Sequence, residues 1–132
     1  MKVLFVCSGN AHRSPLAEAL LKKARPDFEV DSAGLRVAIP ISEEVKAYLT
    51  KHSASKYLKR APESLDGKKL GEYDLIVAME EGHKAAVVHR CSECIAKTVV
   101  WNIDDPYFMT RQDAEKVYEQ IGKKVEELAK SL

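Results

Sequence analysis

Four short apolar runs punctuate the chain, and each is followed by a stretch with helical periodicity. Val3-Leu4-Phe5-Val6 is too short for a helix and lacks polar alternation, so Met1 to Val6 reads as a strand buried on both faces. Leu16, Ala17, Leu20 and Leu21 then recur at helical spacing, predicting a helix from Pro15 to about Arg25 that ends at Pro26-Asp27. A second strand falls in Glu29 to Leu35. A second helix follows Pro40-Ile41, with Ser42 as its cap and Val45, Tyr48 and Leu49 on one face. Leu75 to Met79 and Lys97 to Trp101 read as strands three and four, separated by a helix from Glu80 to about Arg90. Ala114, Val117, Tyr118, Ile121, Val125 and Leu128 make Arg111 to Leu128 the closing helix. Lys51 to Leu65 fits neither period; Tyr57, Leu58 and Leu65 are its expected anchors, and Asp66-Gly67 turns the chain.

Strand–helix alternation of this kind specifies an α/β fold: an open parallel sheet with helices on both faces, three layers in all. Such sheets bind ligands beyond the carboxyl ends of their strands. Cys7 leaves strand one at that edge, and Asp105 leaves strand four at the same edge. The 132 residues are expected to form one domain, 1–132.

Composition narrows the function classes. The 21 basic and 20 acidic residues give a net charge of +1, so nothing favours nucleic acid or an anionic membrane as partner. The apolar run after Lys2 is too short for a signal-peptide core or a membrane span. Three cysteines do not make a secreted disulfide scaffold, and a reducing cytoplasm is the expected location.

The chemistry concentrates in Cys7-Ser8-Gly9-Asn10-Ala11-His12-Arg13-Ser14-Pro15. Gly9 and Asn10 tolerate left-handed torsions, which would let successive amide hydrogens converge on one point. Ser14 is expected to cap the following helix, with Pro15 at its first position. Thiol, amides, helix N-terminus and Arg13 together form an anion site that contains a nucleophile and favours its thiolate. The Arg13 fork suits two equatorial oxygens of a phosphoryl group. A nucleotide-binding loop is excluded, since GxxxxGK[ST] is absent. Thiolate attack on phosphate or arsenate also calls for a general acid.

Asp105-Pro106-Tyr107-Phe108 can supply one. Pro106 holds Asp105 extended, and an anion beneath that carboxyl would favour its protonated, donating form. Asp104 is the competing candidate. Tyr107 and Phe108 could wall a cleft for an aromatic leaving group, or simply belong to the core. Ser32 and Gly34, small where a strand prefers bulk, either brace another loop or make a turn.

These stretches, with Asp31-Ser32-Ala33-Gly34 and Tyr73-Asp74-Leu75-Ile76, resemble the low-molecular-weight protein tyrosine phosphatase family over nearly the whole chain. The resemblance implies a four-stranded parallel sheet of order 2-1-3-4 with the phosphate-binding loop after strand one. It makes Cys7 the nucleophile, Arg13 the phosphate clamp and Asp105 the general acid. Ser8 to His12 and Ser14 would surround the substrate, with Tyr107 as an aromatic wall. It further implies that Asn10 holds the loop strained, Ser14 stabilises the thiolate and Ser32 braces the loop through Asn10. The substrate would be a phosphotyrosine protein or a small aryl phosphate, with no cofactor and no metal. Many members have a cysteine where this chain has His12, which could face solvent or add positive field.

Thioredoxin-coupled arsenate reductases share the fold and the loop, and Cys91-Ser92-Glu93-Cys94 could act as their redox relay, with thioredoxin as partner; structural cysteines are equally compatible. The reductase spacing is wider, however, and His12 lacks the thiol common beside the arginine. Phosphoarginine phosphatases tend to have threonine at the position of Ala11 and lack the tyrosine after Asp-Pro. A non-catalytic phosphopeptide-binding module would have no reason to keep both Cys7 and Asp105. His83 and His89 leave a weak zinc option beside the cysteine pair. The oligomeric state is not readable.

Overall fold

A computed structural model describes residues 1–132. Its strands are β1 (Lys2–Cys7), β2 (Glu29–Gly34), β3 (Leu75–Ala78) and β4 (Thr98–Val100); its helices are α1 (Arg13–Ala24), α2 (Glu43–Lys51), α3 (Glu81–Arg90) and α4 (Arg111–Ser131). The strands form one parallel sheet in the order β2-β1-β3-β4. The expected topology is therefore the observed one, with element ends moved by a few residues.

Because β1 lies second in the sheet and is covered on both faces, its side chains divide between two cores. Val3, Phe5 and Cys7 pack with residues of α1, α2 and α4 in one cluster. Leu4 and Val6 pack on the other face, where Val87 of α3, Leu65, Leu70 and the cysteines 91 and 94 complete a smaller cluster. Val3, Leu4, Phe5 and Val6 are all fully buried, as a two-faced strand requires.

Two local expectations resolve in opposite ways. Ser42 caps α2, its side chain accepting from the Glu44 amide at 3.1 Å. Ser14 does not cap α1: that helix begins at Arg13, His12 occupies the cap position, and no side chain caps it. The Ser14 hydroxyl is directed inward to the site instead. The segment 51–65 carries a short 3-10 turn, Ser55–Tyr57, then places Lys59 in the interior and bridges Ser64 to Gly34 beside the end of β2. No helix is long and apolar enough to cross a membrane.

Candidate active site

The loop from Cys7 to Arg13 is held by its carbonyls. Those of Cys7, Ser8 and Ala11 accept from the amides of Leu35, Arg36 and Ser42 at 3.2, 2.8 and 2.9 Å. No backbone N–H from Ser8 to His12 donates to a protein group, so the loop's donors are left for a ligand. Asn10 alone takes the left-handed conformation, with φ 53°; Gly9 does not use the freedom the sequence offers. Gly34 explains itself by close approach. A Cβ there would lie 2.7 Å from both Asn10 N and Gly9 C, so β2 must end in glycine for the loop to pass.

Beneath the loop, hydrogen bonds run in one direction. Lys59 Nζ and the Glu63 amide donate to Asn10 Oδ1 at 3.0 and 2.8 Å, which orients the amide. Asn10 Nδ2 then donates to Ser14 Oγ at 2.8 Å and to Ser32 Oγ at 2.9 Å. Ser32 spends its own hydrogen on Glu18 Oε1 at 2.5 Å. Ser14, already accepting from Asn10, has its hydrogen free for Cys7 Sγ, 2.8 Å away. Ser32 thus lies in β2, not in a simple turn, and links Asn10 to Glu18.

Arg13 is buried, which rules out a surface role for it. Its Nη1 donates to Glu80 Oε2 at 2.5 Å and to the Ile103 carbonyl at 2.7 Å. Nη2 lies 3.4 Å from Ser8 Oγ and 3.7 Å from Asp105 Oδ2. With Nη1 committed to the protein, Nε and Nη2 are the pair that can meet a phosphoryl group side-on.

A cavity of about 270 Å³ opens above the thiol. Cys7, Ser8 and Arg13 line it, together with Asp105 and Tyr107 from the β4–α4 connection and Arg36 and Ile39 from the β2–α2 connection. Asp105 Oδ1 accepts from the Tyr107 amide at 3.0 Å, so the carboxylate is tied into its own turn. Asp104 is exposed and makes no ion pair with Arg13. A larger hollow of about 1020 Å³, among α1, α2 and α4, contains none of these groups and no cysteine.

A family model described as "Low molecular weight phosphotyrosine protein phosphatase" matches residues 2–132. The chain belongs to that family. The low molecular weight protein-tyrosine-phosphatase Etp of Escherichia coli K12 is 34% identical over 139 residues, covering 98% of this chain and 93% of that protein. A Vibrio vulnificus Wzb structure in complex with benzylphosphonate superposes with a TM-score of 0.89 at 27% identity, covering 99% of this chain and 98% of the other. A protein-arginine-phosphatase of Geobacillus stearothermophilus is 35% identical over 98 residues, covering 74% of this chain and 66% of its own.

Within this phosphatase-family frame, the structure places the residues whose roles the sequence left open. Burial pushes the His12 imidazole below the ordinary histidine value, outweighing the nearby Asp105 and Glu44 carboxylates, so burial works against a positive charge there. The His12 ring lies edge-on to Tyr107, with ring centroids 5.9 Å apart. Tyr107 is at the cavity, but Phe108 is 95% exposed and stacks edge-on against Tyr107 from outside, so it is neither wall nor core. Cys91 and Cys94 form a disulfide, while Cys7 is a free thiol. The disulfide closes the end of α3 and packs in the cluster on the opposite sheet face from Cys7. No group of three or more His, Cys, Asp or Glu residues is placed to hold a metal ion, and His83 faces the loop.

Glu18, Lys59, Glu63 and Glu80 were not singled out from the sequence, and His83 stood there only as a weak zinc option. Glu80 carried a signal: it sits just past β3, at the carboxyl edge where ligands bind. Nothing in the sequence marked Lys59.

Proposed function

We propose that this family member hydrolyses aryl phosphate monoesters, with phosphotyrosine on protein as the substrate class, in the cytoplasm. One observation carries the reading: a free thiol accepting a hydroxyl hydrogen bond lies beside a loop of unpartnered amides and a buried, half-committed arginine.

In the first step Cys7 Sγ attacks phosphorus and an S–P bond forms. The phosphorus–oxygen bond to the phenol breaks, and Asp105 gives its proton to the departing oxygen. Arg13 Nε and Nη2 and the loop amides hold the equatorial oxygens as charge grows there. In the second step Asp105, now ionised, takes a proton from water, which attacks phosphorus and releases Cys7 as thiolate with inorganic phosphate. Arginine and amides supply the charge stabilisation without a metal ion. Tyr107 lines the cavity mouth, where the phenolic ring would pass. The benzylphosphonate bound by the Vibrio protein is an aromatic ligand of the same kind. A reductase relay through Cys91 and Cys94 is disfavoured, since that pair lies across the sheet from the thiol.

Cys7→Ser is expected to abolish hydrolysis of p-nitrophenyl phosphate while inorganic phosphate still binds in calorimetry. Turnover persisting in that variant would remove the mechanism.

A further inference from the structure

His83 and Ser8 are brought together from β1 and α3 without a role in the chemistry above. The Glu80 backbone N–H donates to His83 Nδ1 at 3.0 Å, as half of the reciprocal cap that starts α3. That nitrogen is therefore an acceptor, and the neutral ring carries its hydrogen on Nε2. Nε2 lies 2.9 Å from Ser8 Oγ and donates to it. Arg13 Nη2 approaches the same oxygen at 3.4 Å. Two donors already point at Ser8 Oγ, so the hydroxyl's own hydrogen must be directed elsewhere. Ser8 lines the cavity beside Cys7 and Arg13, so that hydrogen is available to an acceptor bound there.

We propose that the Ser8 hydroxyl is an additional hydrogen-bond donor to the transferring phosphoryl group, and that His83 is the positioning residue that sets its direction. The proposal deepens the phosphatase reading and rests on it. Burial, and next to it the Arg13 guanidinium, push His83 below the ordinary histidine value, which keeps the ring in the neutral form this geometry uses. The cap role and the positioning role of His83 are separable by substitution. Asparagine retains a side-chain acceptor for the Glu80 amide but has no atom at the Nε2 position. Glutamine, a good residue at this helix position, can accept from that amide and still present an N–H to Ser8.

The test measures orthovanadate inhibition and kcat/KM for p-nitrophenyl phosphate, with thermal melting alongside. Ser8→Ala and His83→Asn are each expected to weaken vanadate inhibition and lower kcat/KM by roughly tenfold, the usual scale for a hydrogen bond to a charged group. The double variant should fall within about twofold of either single one, because both remove the same interaction. His83→Gln should recover most of the loss. Ser8 is at the surface, so Ser8→Ala remains decisive even if a position-83 variant folds poorly. Ser8→Ala with parental vanadate affinity would overturn the proposal while leaving the phosphatase reading standing. So would additive losses in the double variant, or His83→Gln as impaired as His83→Asn. A parent protein that neither binds vanadate nor hydrolyses the ester would overturn both.

Discussion

The floor and the mouth of the cavity are built differently. On the floor, Asn10, Arg13, Ser14, Glu18 and Ser32 are all buried, and their side chains are held by named partners, with Arg13 Nε and Nη2 left toward the cavity. At the mouth, the Asp105 side chain is 48% exposed and Tyr107 is 52% exposed, and Phe108 touches little but its neighbour. The floor has one low-energy arrangement, because any displacement leaves a buried polar atom unpaired. The mouth can adjust at small cost.

Substitutions at the mouth and floor should fail in different ways. The largest effect is expected at Asp105, the mouth residue proposed as the general acid. Asp105→Asn should lower kcat for a poor phenolic leaving group by roughly 10²–10³, within the range of general acid catalysis. The loss should shrink as the phenol becomes more acidic. Asp104→Asn should do far less, since Asp104 makes no ion pair with Arg13; equal effects in a leaving-group series would move the acid assignment.

Next in size is the floor. Lys59 Nζ reaches Asn10 Oδ1, Glu63 Oε2 at 2.6 Å and Glu18 Oε1 at 3.8 Å, with its side chain 7% exposed. Lys59→Met would strip the Asn10 amide of its orienting cation and weaken the pairing of a buried carboxylate. Urea unfolding should report a loss on the order of 3 kcal/mol, typical for breaking a buried pair, with kcat falling as well. Tyr107→Ala, by contrast, should raise KM for an aryl phosphate a few-fold, roughly the worth of an exposed aromatic contact, with no change in the urea midpoint. A Tyr107 variant that lost stability, or a Lys59 variant that kept it, would dissolve the distinction between the two regions.

The same contrast decides what could be read from the sequence. The strands were legible because a sheet covered on both faces demands unbroken apolar runs, and α4 because its stripe persists from Ala114 to Leu128. Cys7, Arg13 and Asp105 were legible because their residue types and spacing suit one reaction at one sheet edge. Lys59 was not: a lysine in a polar segment ordinarily faces water, and only the fold places it under Asn10. Ser14 looked like a helix cap because the local preference is real, but the thiol and Asn10 outcompete the helix terminus for its hydroxyl. Phe108 looked like wall or core because aromatics are usually buried, yet the turn tied by Asp105 carries it outside.

The central claim is that the floor prepares Cys7 to carry the phosphoryl group. Acid quench of the protein during turnover of a phenyl phosphate, followed by peptide mass spectrometry, tests it most directly. The account predicts phosphate on Cys7, increased in Asp105→Asn with an activated ester if water activation slows more than transfer, and absent from Cys7→Ser. Phosphate on another side chain, or steady hydrolysis with no phosphorylated Cys7 in either the parent or Asp105→Asn, would contradict it.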